Sequence, residues 1–151
     1  MISGKTTLVA HIGYPTESFR APFIYNPWFE SRGIDAVVVP MGCKADDYPA
    51  FLRALSRLTN LRGALVTMPH KVTTVGLLDE ASTAVRISGA CNAVLVKPGG
   101  RLVGDMFDGT GFTRGLANKG FRVAGSRCLV VGSGGVGSAI AAALAADGAT
   151  A

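Results

Sequence analysis

Lys71 is the first side chain in this sequence whose position asks for a chemical reason. It stands in "LVTMPHKVTTVG", residues 65–76, where a strand ending at Met68 gives way to a helix opened by Pro69. A cation in the first turn of a helix meets the positive end of the helix dipole, which disfavours it by about 0.3–1 kcal/mol. A lysine kept there can hold a substrate oxygen by a charge-assisted hydrogen bond, or take part in proton transfer. The second chemical feature is "VVGSGGVG", which sets Gly132, Gly134 and Gly137 in G-x-G-x-x-G spacing. A buried strand precedes it and an alanine-rich helix follows, the context that separates a dinucleotide-binding turn from an ordinary glycine turn. Gly132 permits the tight turn, Gly134 the approach of a pyrophosphate to the backbone, and Gly137 the packing of the helix against the sheet. The whole segment Gly132, Ser133, Gly134, Gly135, Val136 and Gly137 is therefore the expected cofactor-binding element, presenting helix N-terminal N–H groups to phosphates. NAD or NADP fits it equally, because the residue that reads the ribose 2′ position lies about 20 residues further on.

The elements that must position these residues follow from the apolar period, which switches repeatedly between two and 3.6. "TTLVAHIGY", "DAVVVPMG" and "RGALVTM" read as buried strands. A helix opening at Pro22 and interrupted or kinked at Pro27 separates the first two. A helix with Phe51, Leu52, Leu55, Leu58 and Leu61 on its buried face separates the second and third. After the lysine helix come a short helix in "EASTAVRISG", a hairpin turning at Lys97–Gly100, a helix in "GTGFTRGLANKG", and the strand, glycine turn and helix of "SRCLVVGSGGVGSAIAAALAADGA". This alternation predicts an α/β fold with a mostly parallel sheet and helices on both faces. The expected division is an N-terminal substrate-binding unit over 1–107 and, over 108–151, a linker helix with the start of a Rossmann-type dinucleotide-binding domain.

Composition narrows the functional classes. An apolar fraction of 48% against 17% charged residues supports a buried core and excludes a disordered chain. The net charge of +5 is scattered, its densest group being Arg53, Arg57 and Arg62 along one helix and its exit, so no nucleic-acid surface is expected. Cys43, Cys91 and Cys128 share no metal-ligand spacing, and no metal site is expected. No leader precedes the first strand and "AIAAALAA" is too short to span a bilayer, so the expectation is a cytoplasmic protein that does not bind membranes.

Four segments, "IGYPTESFRAPFIYN", "GALVTMPHK", "GACNAV" and "GDMFDGTGF", followed by the glycine turn, resemble the shikimate dehydrogenase family across nearly the whole chain. The resemblance implies an α/β substrate domain joined to a nucleotide-binding domain, with the active site in the cleft between them. It implies reversible NAD(P)-dependent hydride transfer at a ring hydroxyl of shikimate, quinate or a related cyclic polyol. The family's catalytic lysine falls on Lys71 and its aspartate on Asp108, flanking the reacting hydroxyl. Its substrate-binding threonine falls on Thr67 and its asparagine on Asn92. The partner is thus a small cyclic hydroxy compound, and a homodimer is an assembly this reading allows. Whether Lys71 carries the proton, or holds the hydroxyl while Asp108 does, stays open.

The sequence departs from the family at the substrate carboxylate. Two serines of the turn after the first strand are replaced by Phe19 and Ala21, neither of which offers a side-chain donor. Asparagines of the two catalytic motifs become Leu65 and Met106. Three compensations are open: Thr16 or Ser18 moves in, Arg20 takes the carboxylate, or the substrate lacks one. His11 reads as a core histidine, and Tyr25 and Asn26 as helix residues near the cleft. Two rivals remain beside the enzyme: a non-catalytic sensor of the same fold, and a substrate domain whose other half comes from another chain.

Overall fold

The computed structural model describes residues 2–150; Met1 and Ala151, the outer bounds of the two expected units, lie outside the described residues. Along the chain run β1 (Thr7–Gly13), α1 (Ala21–Ser31), β2 (Ala36–Gly42), α2 (Tyr48–Leu55), β3 (Leu61–Val66), α3 (Lys71–Val75) and β4 (Glu80–Ala81). They continue with α4 (Thr83–Ser88), β5 (Ala93–Lys97), β6 (Arg101–Asp105), α5 (Asp108–Asn118) and α6 (Gly135–Ala146). The six strands form one sheet in the order β2-β1-β3-β5-β6-β4. β1 pairs parallel with β2 and β3, and β4 with β6, while the β5–β6 hairpin introduces the two antiparallel pairings. The sheet is α/β and mostly parallel, as the alternation of elements predicts. β4 was not foreseen, since two residues carry no period.

Strand alternation sorts the sheet into two unlike faces. Ala10 and Ile12 of β1, Ala64 and Val66 of β3, Val94 of β5 and Leu102 of β6 pack into one core with Tyr48, Leu52 and Leu55 of α2 and Val85 of α4. Burying each large aliphatic side chain contributes about 1.5–3 kcal/mol. On the other face His11, Phe19 and Val38 are buried at the β1–β2 end, where α1 packs on β2. Further along that face Val9, Leu65, Leu95 and Val103 line an open groove of about 530 Å³. The expected helical cover of both faces is therefore incomplete among the described residues. α1 runs through Pro27 without a break, and its Asn26 is a structural residue: the amide donates to Val38 O at 3.1 Å and accepts from Val38 N at 2.7 Å. This satisfies backbone groups of β2, an edge strand that would otherwise expose them.

The strand expected at 127–131 is not formed. Arg127 makes one parallel bridge to Thr150, and beyond it Leu129 and Val131 are each 90% exposed. The continuous apolar run Cys128–Val131 is present, but among the described residues no neighbouring strand supplies a ladder for 129–131, and a strand forms only where its backbone groups are paired. α6 is nevertheless anchored. It packs on α4 and α5, and both close approaches need a glycine: Gly109 faces the Ala139 carbonyl and Gly135 the Ala90 methyl, each where a Cβ would collide.

Candidate active site

The lysine sits at the first position of α3, a single turn that begins two residues later than the sequence predicts. Pro69 belongs instead to a turn closed by the His70 N–H bonding to Thr67 O at 3.0 Å. Lys71 Nζ donates to Asp108 Oδ2 at 2.5 Å, both side chains being mostly buried. The other oxygen, Asp108 Oδ1, accepts from Asn92 Nδ2 at 2.7 Å, and Asn92 Oδ1 accepts from the Phe107 N–H at 2.9 Å. Asp108 is the first residue of α5, where the helix dipole favours a carboxylate. Backbone bonds fix the same corner: Cys91 N–H to Lys71 O at 2.8 Å, Val66 N–H to Asn92 O at 2.8 Å, and Asn92 N–H to Asp105 O at 3.1 Å. Three segments distant in sequence are thereby locked around one ion pair.

A second layer supports the lysine from beneath. The His70 ring is buried, stacks on Tyr48 at 3.9 Å and 8°, and its Nε2 lies 2.8 Å from Cys43 O. Thr74 Oγ1 donates to His70 O at 2.8 Å, which leaves the Tyr48 hydroxyl to donate to Thr74 Oγ1 at 2.7 Å, since a threonine has one hydroxyl proton. Burial lifts the Tyr48 phenol to about 12 and lowers His70, against the opposing pull of the Cys43 carbonyl. The place of His70 in this layer is visible only once β2 and α2 are brought beside α3. Asp105 too escapes the sequence reading, although it stands in "GDMFDG". Its Oδ1 accepts from Ser82 Oγ at 2.6 Å and Met106 N at 2.8 Å, tying the end of β6 to the start of α4. Met106 itself is core, 2% exposed.

Thr67 closes the site toward β1. Its N–H bonds Ile12 O at 2.9 Å and its methyl packs over Gly13, beside the tip of the Phe19 ring. Phe19 is turned inward, whereas Ser18 and Arg20 are exposed and Thr16 directs its methyl toward Gly42. Tyr25 faces Phe29, the ring centres 6.2 Å apart.

The glycine turn lies across from the lysine. Met68, Pro69, Lys71 and Val72 share one cleft of about 490 Å³ with Gly132, Gly134, Gly135, Val136, Gly137 and Ile140. Asp108 and Asn92 reach that cleft through Lys71, and Ser133 stands in the turn with its carbonyl accepting from Ser138 Oγ at 3.1 Å. Gly132 has φ +107°, a backbone state that favours glycine. Gly134 caps α6 in extended conformation, and a Cβ there would meet nothing within 4 Å, so the backbone is open to a ligand. These are the requirements of a pyrophosphate cradle. The expected role of Gly137 needs correction: a Cβ there would collide with the Gly132 carbonyl, so this glycine packs the helix against its own turn, not against the sheet. Among the described residues no grouping of His, Cys, Asp and Glu could hold a metal, and no helix is long and apolar enough to cross a membrane.

Comparison with known proteins places this arrangement. A family model described as the shikimate dehydrogenase substrate binding domain matches residues 11–94. A curated relative, shikimate dehydrogenase (NADP(+)) of Rubrobacter xylanophilus, is 39% identical over 143 residues, 95% of this chain and 50% of the relative. Among solved structures, shikimate 5-dehydrogenase from Listeria monocytogenes in complex with shikimate and NAD is 32% identical with a TM-score of 0.89, covering 97% of this chain and 50% of that one. The ligand-free 5-ketofructose reductase of Gluconobacter sp. strain CHM43 is 27% identical with a TM-score of 0.87, over 97% of this chain and 52% of its own. The chain thus spans about half the length of the relatives it matches. With the model covering more than half of the chain, and with the sheet shared by these structures, the chain belongs to the shikimate dehydrogenase family.

Proposed function

We propose that the protein carrying this chain is an NAD(P)-dependent oxidoreductase that interconverts a ring hydroxyl and a ketone on shikimate, quinate or a related cyclic polyol. The observation that carries this reading is the single cleft walled on one side by Lys71 and on the other by the glycine turn. Lys71 has three donors and directs one to Asp108, leaving others for the oxygen of a ring hydroxyl. Asp108 takes a bond on each oxygen, from Lys71 and from Asn92, and is the proton acceptor within reach of the same hydroxyl. Thr67 and the remaining N–H of Asn92 orient the ring. Gly132 through Gly137 hold the pyrophosphate, and the nicotinamide, when bound, supplies the hydride chemistry. In this reading residues 1–107 form the substrate unit, and 108–151 the linker helix with the first part of a dinucleotide-binding unit. The parallel bridge between Arg127 and Thr150 on either side of α6 is the start of the β-α-β pattern such a unit requires. The likeness to 5-ketofructose reductase widens the substrate class to neutral polyols.

The test is reduction of NAD and NADP by the protein at its full natural length, with shikimate and quinate, beside the Lys71→Ala variant. Turnover lost in the variant with cofactor binding retained supports the reading. Binding of ring compound and cofactor with no reduction by the natural protein replaces it with the non-catalytic sensor.

A further inference from the structure

Beside Thr67, on its β1 side, the chain places one buried aromatic ring. Phe19 is 8% exposed, in a loop where Ser18 and Arg20 face solvent. Its Cζ and the Thr67 methyl close together on Gly13, and only the absence of a Cβ at Gly13 admits them both. The ring also covers His11, the two centroids 4.1 Å apart and tilted by 31°. His11 is equally buried, and its Nδ1 has no partner among the described residues. Burial alone lowers the basicity of this imidazole, so it is uncharged at neutral pH. A buried polar atom without a partner is uncommon and costs stability. The Phe19 ring lies against the imidazole that carries that atom and has no polar group to offer it.

We infer that Phe19, seated on His11 and beside Thr67, is a specificity-determining residue that selects a ring alcohol bearing no carboxylate at this corner of the site. A carboxylate placed here loses its water and meets an aromatic ring and a buried, uncharged histidine. Burying an anion without hydrogen-bond partners is strongly unfavourable. Arg20, the cation of this loop, heads α1 from an exposed position and does not reach inward. An uncharged ring incurs no such penalty and gains apolar contact with the Phe19 ring. The inference rests on the proposed function only in placing the ligand beside Thr67.

The test measures binding, so it does not depend on turnover. The protein at its full natural length is titrated calorimetrically with shikimate and with methyl shikimate, the same ring with its charge removed. Phe19→Ser and Phe19→Leu are titrated in parallel. The natural protein is expected to bind the ester at least about tenfold more tightly, and Phe19→Ser to shift the ratio toward shikimate by about tenfold or more. Phe19→Leu retains an apolar wall and should retain the preference. A general loss of stability lowers both affinities together and leaves the ratio unmoved, so the ratio reads selectivity alone. Tighter binding of shikimate by the natural protein, binding of neither ligand, or an unchanged ratio in a folded Phe19→Ser variant each overturns the inference. Preference for the ester without cofactor reduction keeps the inference and removes the oxidoreductase reading. Turnover of shikimate in preference to the ester does the reverse.

Discussion

The two walls of the cleft are held in opposite ways. Around Lys71 side chains from different parts of the chain hold one another: Asp108 from α5, Asn92 from the approach to β5, and His70 and Tyr48 beneath. Around the glycine turn the shape is made by backbone alone, through φ at Gly132 and the extended cap at Gly134. The residues leading into that turn, Leu129 and Val131, carry bare apolar side chains. A side-chain network is preorganised by contacts that the chain already owns, whereas a backbone cradle is completed by what comes to lie on it.

The largest expected effect falls on the first wall. Lys71→Ala should lower kcat by about 10²- to 10⁴-fold, the range of a positioned acid–base group, with the affinity for NADP little changed. Steady-state kinetics beside cofactor titration checks it, and a parallel loss of cofactor affinity would make the two walls one coupled unit. Next in size is Asn92→Ala, which leaves Asp108 Oδ1 and the Phe107 N–H without their present partners. It should cost about 1–3 kcal/mol of stability, read by denaturant unfolding, and should also lower kcat because Asp108 is no longer held. An Asn92→Ala protein as stable as the natural one would mean that water replaces the bridge at little cost, and that the network is not preorganised.

How much of this was legible in the sequence depended on how local its causes are. The hairpin at Lys97–Gly100, the Gly89 stop of α4 and the Leu52 and Leu55 part of the α2 stripe depend on residues within a few positions of one another, whereas Leu58, expected on the same face, lies beyond the helix and is 45% exposed. Lys71 and Asp108 could be named from family-like segments, and the structure brings them to 2.5 Å. The stack of His70 on Tyr48 could not be read, because it joins α2 to the turn before α3 and depends on how the sheet brings these two distant segments together. The strand expected at 127–131 failed for the converse reason: its apolar run is real, but pairing is a property of a neighbour and not of the segment. Gly137 fitted its spacing while its contact proved to be the carbonyl of Gly132.

The second wall is tested by two glycines that look alike in sequence. Gly132→Ala forces a Cβ into φ +107° and should cost about 1–2 kcal/mol, shifting the melting temperature as well as cofactor affinity. Gly134→Ala introduces a methyl into open space at an ordinary φ of −70°, so stability should stay within about 0.5 kcal/mol. Its effect should appear only as weaker NADP binding, because the methyl stands where the ligand approaches. Equal melting shifts in the two variants would show that the turn is not shaped by Gly132, and an unaltered cofactor affinity in Gly134→Ala would show that no ligand approaches there.

The smallest effect is acid sensitivity, and it should belong to the first wall alone. The chain has two histidines, His11 and His70, and both lie on the substrate side. Burial is the first cause of the lowered basicity of each, from an ordinary value of 6.5. Their folded forms therefore release a proton that the unfolded chain keeps, so between the lowered value and 6.5 the unfolded state binds more protons. The associated stability is fully present above about pH 6.5 and declines as the pH falls through that window. His70→Gln keeps an N–H donor for the Cys43 carbonyl but cannot titrate. It should lower the melting temperature at pH 7 through loss of the Tyr48 stack, yet flatten its fall between neutral and mildly acidic pH. The check is a series of melting curves across that range for both proteins. An equally steep fall in the variant would assign the acid sensitivity to His11, whose ring packs against Phe19, and would move the weakest point of the substrate side from beneath the lysine to β1.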